Sequence, residues 1–170
     1  MKKQILLAAA ALLGIGLSAM AAETADMREE LLLTQGVGPA IAGSVTYSDL
    51  PTNAQDFLLK HFKDVKIRHI EKEYADGRYE VNFANGDEID FDANGKVTEI
   101  EAKRGAIKDT VVKDILPQAA YNQLVGQNIH NQVKQIDVEK TVYEVKFVKK
   151  ENVKLRQMKF DNQGKLLRKA

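Results

Sequence analysis

The residues with the clearest potential for chemistry are oxygen-bearing side chains at alternate positions near the middle of the chain. They are Asp90, Asp92 and Asn94, followed by Gly95 and, at the twelfth position, by Glu101. This spacing matches a calcium-binding loop, in which alternate oxygens and a final glutamate surround a hard cation and glycine permits the sharp bend. The flanking residues alternate like strands, whereas such a loop normally joins two helices. The motif therefore has two interpretations, a calcium site and a hairpin turn in which Asn-Gly accepts a positive φ.

Other catalytic or metal-binding side chains are few. The sequence contains three histidines, three serines and no cysteine. Of the histidines, His61, His69 and His130, the first is predicted in a helix and the second in the next strand, so no close ligand pair is evident, whereas zinc sites usually need three or four clustered ligands. Ser44 and Ser48 have no evident base beside them, and without cysteine the chain has neither a thiol nucleophile nor a disulfide. We therefore predict that the protein is not an enzyme and that it uses no cofactor.

The N-terminus has the pattern of an export signal. Two lysines are followed by an apolar run over 5–17 and by small residues at Ala19 and Ala21. This pattern predicts a signal peptide over 1–21, cleaved after Ala21, and a mature protein in the periplasm or outside the cell. The apolar run is shorter than the roughly 20 residues that span a membrane, so we expect no stable membrane insertion after cleavage. Export, and the absence of aromatic residues interleaved with the basic ones, also argue against nucleic acid as a partner.

The elements that must position these residues are hairpins. Tyr79, Val81 and Phe83 alternate with polar residues, which predicts a strand with one buried face. Asn85-Gly86 then predicts a two-residue type I′ turn. Further alternating runs predict strands over 65–75, 87–92, 96–103, 133–140, 142–149, 153–161 and 165–169.

The chain also repeats itself. Leu50-Pro51 recurs 66 residues later as Leu116-Pro117, and Tyr-Glu-Val recurs after 64 residues, at Tyr143. An apolar stripe at helical spacing follows each Leu-Pro pair; the members are Ala54, Phe57, Leu58 and Phe62, then Ala120, Tyr121, Leu124 and Ile129. These patterns predict an α+β fold made of two tandem units, each a helix plus four antiparallel strands, with the helices on one face of the sheet.

The predicted boundaries follow from the repeat. We expect an N-terminal segment over 22–47 that is partly mobile, with two helical turns over 27–33, then repeat 1 over 48–104 and repeat 2 over 105–170. The hairpin between the second and third strands is five residues longer in repeat 2. Its tip is predicted at 149–152.

The Leu-Pro helix, Tyr-Glu-Val-x-Phe and Phe-Asp-x-x-Gly-Lys together resemble the PepSY-like, β-lactamase-inhibitor-protein-like family over residues 48–170. This resemblance implies an exported protein, of a kind common in Bacteroidetes, with two tandem helix-plus-four-strand units and no established enzymatic activity. The family takes its name from a fold shared with an inhibitor that grips a β-lactamase with its concave sheet. The present chain lacks the cysteines of that inhibitor.

Charge is distributed unevenly between the halves. Residues 49–104 contain 9 Lys or Arg and 13 Asp or Glu, whereas residues 105–170 contain 13 and 7. Such a charge dipole can steer a charged partner. We therefore predict a non-enzymatic periplasmic binding or inhibitor-like protein that docks an unknown protein or peptide on its exposed sheet face; the predicted contact residues are Arg78, Glu80, Asn82, Glu144, Lys146, Lys154 and Arg156. The alternative is a periplasmic sensor that responds to calcium or a small ligand through the loop from Asp90 to Glu101.

Overall fold

The computed structural model describes residues 43–149 and 156–170. They form an α+β fold with an eight-stranded antiparallel sheet whose strands lie side by side in chain order. The strands are β1 (Ile67–Glu73), β2 (Arg78–Phe83), β3 (Glu88–Phe91), β4 (Val97–Glu101), β5 (Val133–Glu139), β6 (Val142–Phe147), β7 (Gln157–Asp161) and β8 (Leu166–Lys169). The α-helices are α1 (Thr52–Phe62), α2 (Asp109–Ile115) and α3 (Gln118–Gly126). The predicted signal peptide, the helix over 27–33 and most of the tip at 149–152 lie outside the described residues.

A continuous row of apolar side chains crosses the sheet. Each member is paired in register with the next, from β1 to β7: Ile70, Val81, Ile89, Ile100, Ile136, Val145 and Met158. All seven are buried, with 2% or less of each exposed. Because side chains of a strand alternate between faces, this row makes one face of the sheet apolar from β1 to β7.

The helices cover that apolar face. The rings of Phe57 and Phe62 on α1 contact Phe91 and Phe83, with centroid distances of 6.0 and 4.9 Å. Apolar residues of α2 and α3 belong to the same buried cluster as the sheet. α1 and α3 each begin one residue after a proline, Pro51 or Pro117. No helix in the described ranges has the length and apolar character needed to cross a membrane.

The second half contains a helix that the sequence pattern did not predict. α2 precedes Leu116-Pro117, and its Val111 and Val112 are completely buried. It is only seven residues long, too short for its periodicity to stand out. Asp114 on α2 accepts hydrogen bonds from Lys60 Nζ at 2.8 Å and lies 2.9 Å from the buried His61 Nε2, so α2 is attached to α1.

The type I′ turn predicted at Asn85-Gly86 is wrong. Gly86 has a φ of 91°, but Asn85 is not among the residues with positive φ, and the Gly86 N–H donates to Phe83 O. The Phe83 N–H donates to Asp87 O, so three residues form the loop, with glycine at the left-handed position. Asn85 Oδ1 accepts from the Asp87 N–H instead, which stabilises this longer turn.

The hairpins β3–β4 and β7–β8 have the same turn, and each turn packs on the start of a helix. Asp92 Oδ1 and Asp161 Oδ1 each accept two backbone N–H bonds at 2.9 Å. A Cβ atom added to Gly95 would lie 2.7 Å from Ala54 N, and one added to Gly164 would lie 2.5 Å from Ala120 N. Both glycines therefore permit a positive φ and a close approach to a helix backbone.

We expect Gly95→Ala and Gly164→Ala each to lower the free energy of unfolding by about 2–4 kcal/mol, because backbone strain and a steric clash add. Gly105→Ala is the matched control. Gly105 also has a positive φ, of 85°, but a Cβ there meets nothing within 4 Å, so only the strain of about 1 kcal/mol applies. Urea unfolding of the three variants measures the difference; equal losses would contradict the proposed contact with the helices.

Candidate functional site: the polar face of the sheet

The register that builds the apolar row also aligns acidic residues on the opposite side of the sheet, here called the polar face. One carboxylate from each of β1 to β6 is paired with the next, and we call this set the carboxylate row: Glu71, Glu80, Asp90, Glu99, Asp137 and Glu144. Lys159 on β7 and Arg168 on β8 continue the same line. A single line across eight strands therefore changes from acidic to basic.

Basic and amide side chains neutralise the second half of the row. Lys146 Nζ lies 3.1 Å from Asp137 Oδ2, and Lys159 forms an ion pair with Glu144. Gln135 Nε2 donates to Glu99 Oε1 at 2.7 Å and to Asp137 Oδ1 at 2.9 Å. These contacts give each carboxylate from β4 to β6 a cation or a donor.

Among the described residues, the carboxylates in the first half of the row form no ion pair with lysine or arginine, although the Asn82 amide donates to Glu80. Glu80, Glu88 and Asp90 have carboxylate oxygens within 4.8 Å of one another, and no lysine or arginine of the described residues forms an ion pair with any of them. Asp90 Oδ1 is buried and makes no hydrogen bond within that part of the chain. The nearby Arg78 turns away, with contacts of 3.0 Å to Glu73 and 2.6 Å to Asp76.

This arrangement raises the pKa of three carboxylates in or beside the row. Burial, with the charges of Glu80, Glu99 and Glu88, raises the pKa of Asp90 to about 7. Burial also raises the pKa of Glu88 and of Glu99, with like charges adding to the effect. These are the directions expected when carboxylates are desolvated beside one another. Asp90 and Glu99 of the row, and Glu88 beside them, therefore keep their protons to a higher pH than ordinary carboxylates do.

The residues of the predicted calcium loop are distributed differently. Asp92 Oδ1 accepts the N–H groups of Asn94 and Lys96 in the hairpin turn, and Glu101 forms an ion pair with Lys134 at 3.0 Å. Neither Asp92 nor Glu101 belongs to the cluster of carboxylates around Asp90. The structure therefore brings Asp90 together with Glu80 and Glu88, from β2 and its own strand. This grouping depends on strand register, which a motif within one stretch of sequence does not encode.

The residues predicted to contact a partner do not all lie on one surface. Arg78, Glu80 and Asn82 share the polar face of β2, where the Asn82 amide donates to Glu80. Glu144 and Lys146 occupy the same face of β6.

The two remaining predicted contacts lie elsewhere. Arg156 bonds through its backbone to Phe147 and alternates in phase with the buried Met158, so it is not aligned with Glu144 and Lys146. Lys154 lies outside the described ranges. Lys159, which sequence reasoning missed, occupies the position beside Glu144; its alternation with buried Met158 and Phe160 was the available signal.

One further group resembles a catalytic arrangement. Ser44 Oγ lies 3.1 Å from His69 Nδ1, and His69 Nε2 lies 3.8 Å from Glu71 Oε2. The second distance is too long for the hydrogen bond that orients a catalytic histidine. The serine is also exposed and belongs to a short bridge beside β1. These three residues therefore do not complete a nucleophilic triad.

A comparison with protein families shows to which family the chain belongs. Residues 77–168 match the family model described as "Putative beta-lactamase-inhibitor-like, PepSY-like". The chain belongs to the PepSY-like family. The match spans more than half of the sequence and includes the six strands β2 to β7 and most of β8.

Three solved structures are similar to this chain, and each covers 75% of it. A putative periplasmic protein of the DUF2874 family from Bacteroides vulgatus is 32% identical, with a TM-score of 0.60 over 94% of its length. A putative calcium-regulated periplasmic protein from Bacteroides thetaiotaomicron is 29% identical, with a TM-score of 0.60 over 94% of its length. A putative periplasmic protein of unknown function from Bacteroides vulgatus is 27% identical, with a TM-score of 0.57 over 99% of its length.

A comparison with curated proteins gives no match. The solved relatives of this PepSY-like protein are thus described as periplasmic, and their descriptions name no catalytic activity.

The raised pKa of Asp90 makes the stability of the protein depend on pH. Its pKa is higher in the folded chain than the ordinary value of 3.8, so folding favours the protonated form. The contribution of Asp90 to the free energy of unfolding is therefore largest below about pH 4 and decreases as the pH rises to about 7. Asp90→Asn should remove this dependence and stabilise the protein at pH 8 by about 1 kcal/mol, since solvent screening limits the effect of a partly exposed carboxylate.

Denaturant unfolding of both proteins at pH 5 and pH 8 measures this effect. Asp64→Asn, which changes an exposed carboxylate after α1, is the control and should leave the pH dependence unchanged. An Asp90→Asn variant with the same pH dependence as the parent would show that Asp90 ionises without cost.

Proposed function

We propose that this PepSY-like protein is a non-enzymatic periplasmic binding protein that docks a protein or peptide on the polar face of its sheet. The observation that supports it best is the line of six carboxylates followed by two cations across the eight strands. Like charges directly opposite each other on neighbouring strands are destabilising. A partner that supplies cations to the uncompensated half would relieve this repulsion, which gives binding an electrostatic driving force.

The shape and spacing of the surface indicate the chemistry of the partner. A concavity of about 240 Å³ lies over β1 to β3, lined by Glu71, Glu73, Arg78, Tyr79, Glu80 and Asp90. Neighbouring strands are about 4.8 Å apart, close to the 5.4 Å pitch of an α-helix. A helical segment lying across the strands, with a lysine or arginine on each turn, would place one cation over each carboxylate. The cationic end of the line at Lys159 and Arg168 would oppose an acidic residue of the same partner.

The architecture of the chain also supports the proposed binding function. We infer two tandem units over 48–104 and 105–170, because identical turns at Gly95 and Gly164 pack on the starts of α1 and α3. A signal peptide over 1–21 would bring the chain to the periplasm, where the described relatives belong. The proposed activity needs no cofactor and no nucleic acid.

Charge reversal tests the docking surface. Glu71→Lys with Glu80→Lys should weaken binding to a helical peptide carrying a lysine on each turn at least tenfold, because two attractive contacts become repulsive. Asp56→Lys with Asp64→Lys makes the same change in net charge on and after α1 and should leave the affinity within twofold. Fluorescence anisotropy at low and moderate salt measures both, and the peptide with glutamates instead of lysines should not bind.

A periplasmic extract then shows whether a natural partner uses the same face. Proteins retained by the parent and by the α1 variant, but lost from the Glu71 and Glu80 variant, would bind on the polar face. If both double variants lose the peptide equally, net charge alone explains the binding and the proposal fails.

Calcium regulation is a second candidate, favoured by two observations. A relative that is 29% identical is described as a putative calcium-regulated periplasmic protein. The carboxylate oxygens of Glu80, Glu88 and Asp90 lie within 4.8 Å of one another, a spacing that suits a hard cation with oxygen ligands. A bound ion would also offset the burial and the neighbouring negative charges that raise the pKa of Asp90.

Two sets of variants distinguish this cluster from the loop motif. If calcium binds the cluster, Glu80→Gln and Glu88→Gln should abolish the rise in melting temperature caused by millimolar calcium, whereas Asp92→Asn should retain it. Asp92→Asn keeps an oxygen for the turn bonds from Asn94 and Lys96. The reverse result would favour the loop from Asp90 to Glu101, and no calcium effect on the parent protein would reject both sites.

A further inference from the structure

The last strand of the sheet, β8, has an outer edge with which no strand of the described residues pairs. The edge at the other end of the sheet is covered, because the Val45 N–H donates to Ile70 O on β1 at 3.0 Å. All four residues of β8 are exposed, and the exposed fractions of Leu166 and Leu167 are 36% and 53%. An edge strand with unpaired backbone groups is a template for pairing with another chain.

The direction of the backbone groups on β8 follows from its pairing with β7. The N–H of Ala170 donates to Gln157 O, and the N–H of Gln157 donates to Ala170 O. Because these groups alternate in direction along an antiparallel strand, those of the preceding Lys169 point toward the open edge. A strand added there would form hydrogen bonds that β8 does not form with β7.

The first half of the chain shows how such an edge accepts a strand. The hairpins β3–β4 and β7–β8 have the same turn and the same shift in register, so Arg168 on β8 has the position of Glu99 on β4. The corresponding edge of β4 is occupied by β5, and Glu99 lies opposite Asp137. The strand equivalent to β8 is therefore paired on both sides.

The charges of β8 favour an acidic partner. Residues 165–169 include Lys165, Arg168 and Lys169, and these three form no ion pair within the described part of the chain. Arg168 lies opposite Lys159, and an acidic residue on a further strand would offset this like-charge pair. The β8 strand of a second copy would instead bring basic residues together, which disfavours pairing between identical edges.

We propose that the open edge of β8 binds an extended protein segment of acidic and β-branched residues, which adds an antiparallel ninth strand and places a carboxylate against Arg168. Hydrogen bonds to the backbone of Lys169 hold the segment, as in other cases of strand addition. The site is at the far end of the sheet from Glu71 and Glu80, so it does not depend on the proposed docking of a cationic helix.

A capped peptide with the sequence of β5, Val133–Glu139, is the probe, because its aspartate has the position that faces Arg168. We expect saturating peptide to slow hydrogen exchange of the Lys169 amide at least tenfold, measured by nuclear magnetic resonance. The same peptide N-methylated at Ile136, which pairs with Ile100 on β4, should slow it less than twofold. Equal effects of the two peptides, or changes at Ile100 in place of Lys169, would overturn the proposal.

Two substitutions at Lys169 separate the backbone contact from the side chain. Lys169→Pro and Lys169→Ala both remove the ammonium that donates to Gln127, but only proline also removes the N–H at the open edge. We expect Lys169→Pro to bind the peptide at least tenfold more weakly than Lys169→Ala, with the amide shifts of β7 alike in the two variants. Equal affinities would show that the peptide does not pair with β8.

A charge exchange tests the contact with Arg168. Arg168→Glu should weaken binding of the peptide at least fivefold, and a peptide with lysine in place of Asp137 should restore the affinity for this variant. Glu71→Lys with Glu80→Lys, which tests the polar face, should leave the affinity within twofold at moderate salt, so the two proposals can fail separately. Failure of the exchanged peptide to restore binding, or no binding of the original peptide to the parent protein, would refute the proposed site.

Discussion

The apolar row from Ile70 to Met158 determines how the eight strands can pair. A shift of one residue in any strand would move its core side chain into water and expose its polar neighbours to the helices. Each buried aliphatic side chain contributes about 1.5–3 kcal/mol, whereas each pair of like charges opposite one another costs about 0.2–1 kcal/mol. The apolar row therefore fixes the register even though the same register aligns six carboxylates on the other face.

The consequence for function is that carboxylates which repel one another lie side by side on a rigid sheet. Glu80, Glu88 and Asp90 are carried by strands whose opposite faces are packed, so the strands cannot move apart to relieve the repulsion between these carboxylates. The remaining responses are protonation, which the raised pKa of Asp90 expresses, and the binding of a cation. A basic partner segment and a calcium ion both satisfy this physical requirement.

The two halves of the molecule contain the same turn but differ in the charges on their polar faces. Asp92 and Asp161 build the same turn, and the glycine of each turn contacts a helix start. The polar faces above these turns nevertheless differ, because Lys146 and Lys159 neutralise the carboxylates on β5 and β6. The carboxylates without a cationic partner are therefore on the first half, while the second half carries the balancing charge. The second half also contains the additional helix α2, which Asp114 attaches to α1.

The sequence by itself determined the α+β class, the eight strands to within a few residues, and the family, because alternation and turn residues are local signals. It also identified Glu80 and Asn82 as neighbours on an exposed face. It did not predict α2, whose seven residues are too few for a clear periodicity, nor the three-residue loop at Gly86. Only the tertiary structure placed the carboxylate oxygens of Glu80, Glu88 and Asp90 within 4.8 Å of one another, in a group that does not include Asp92 or Glu101. The reason is physical: proximity across strands depends on register, and register is set by the packing of the whole sheet against its helices.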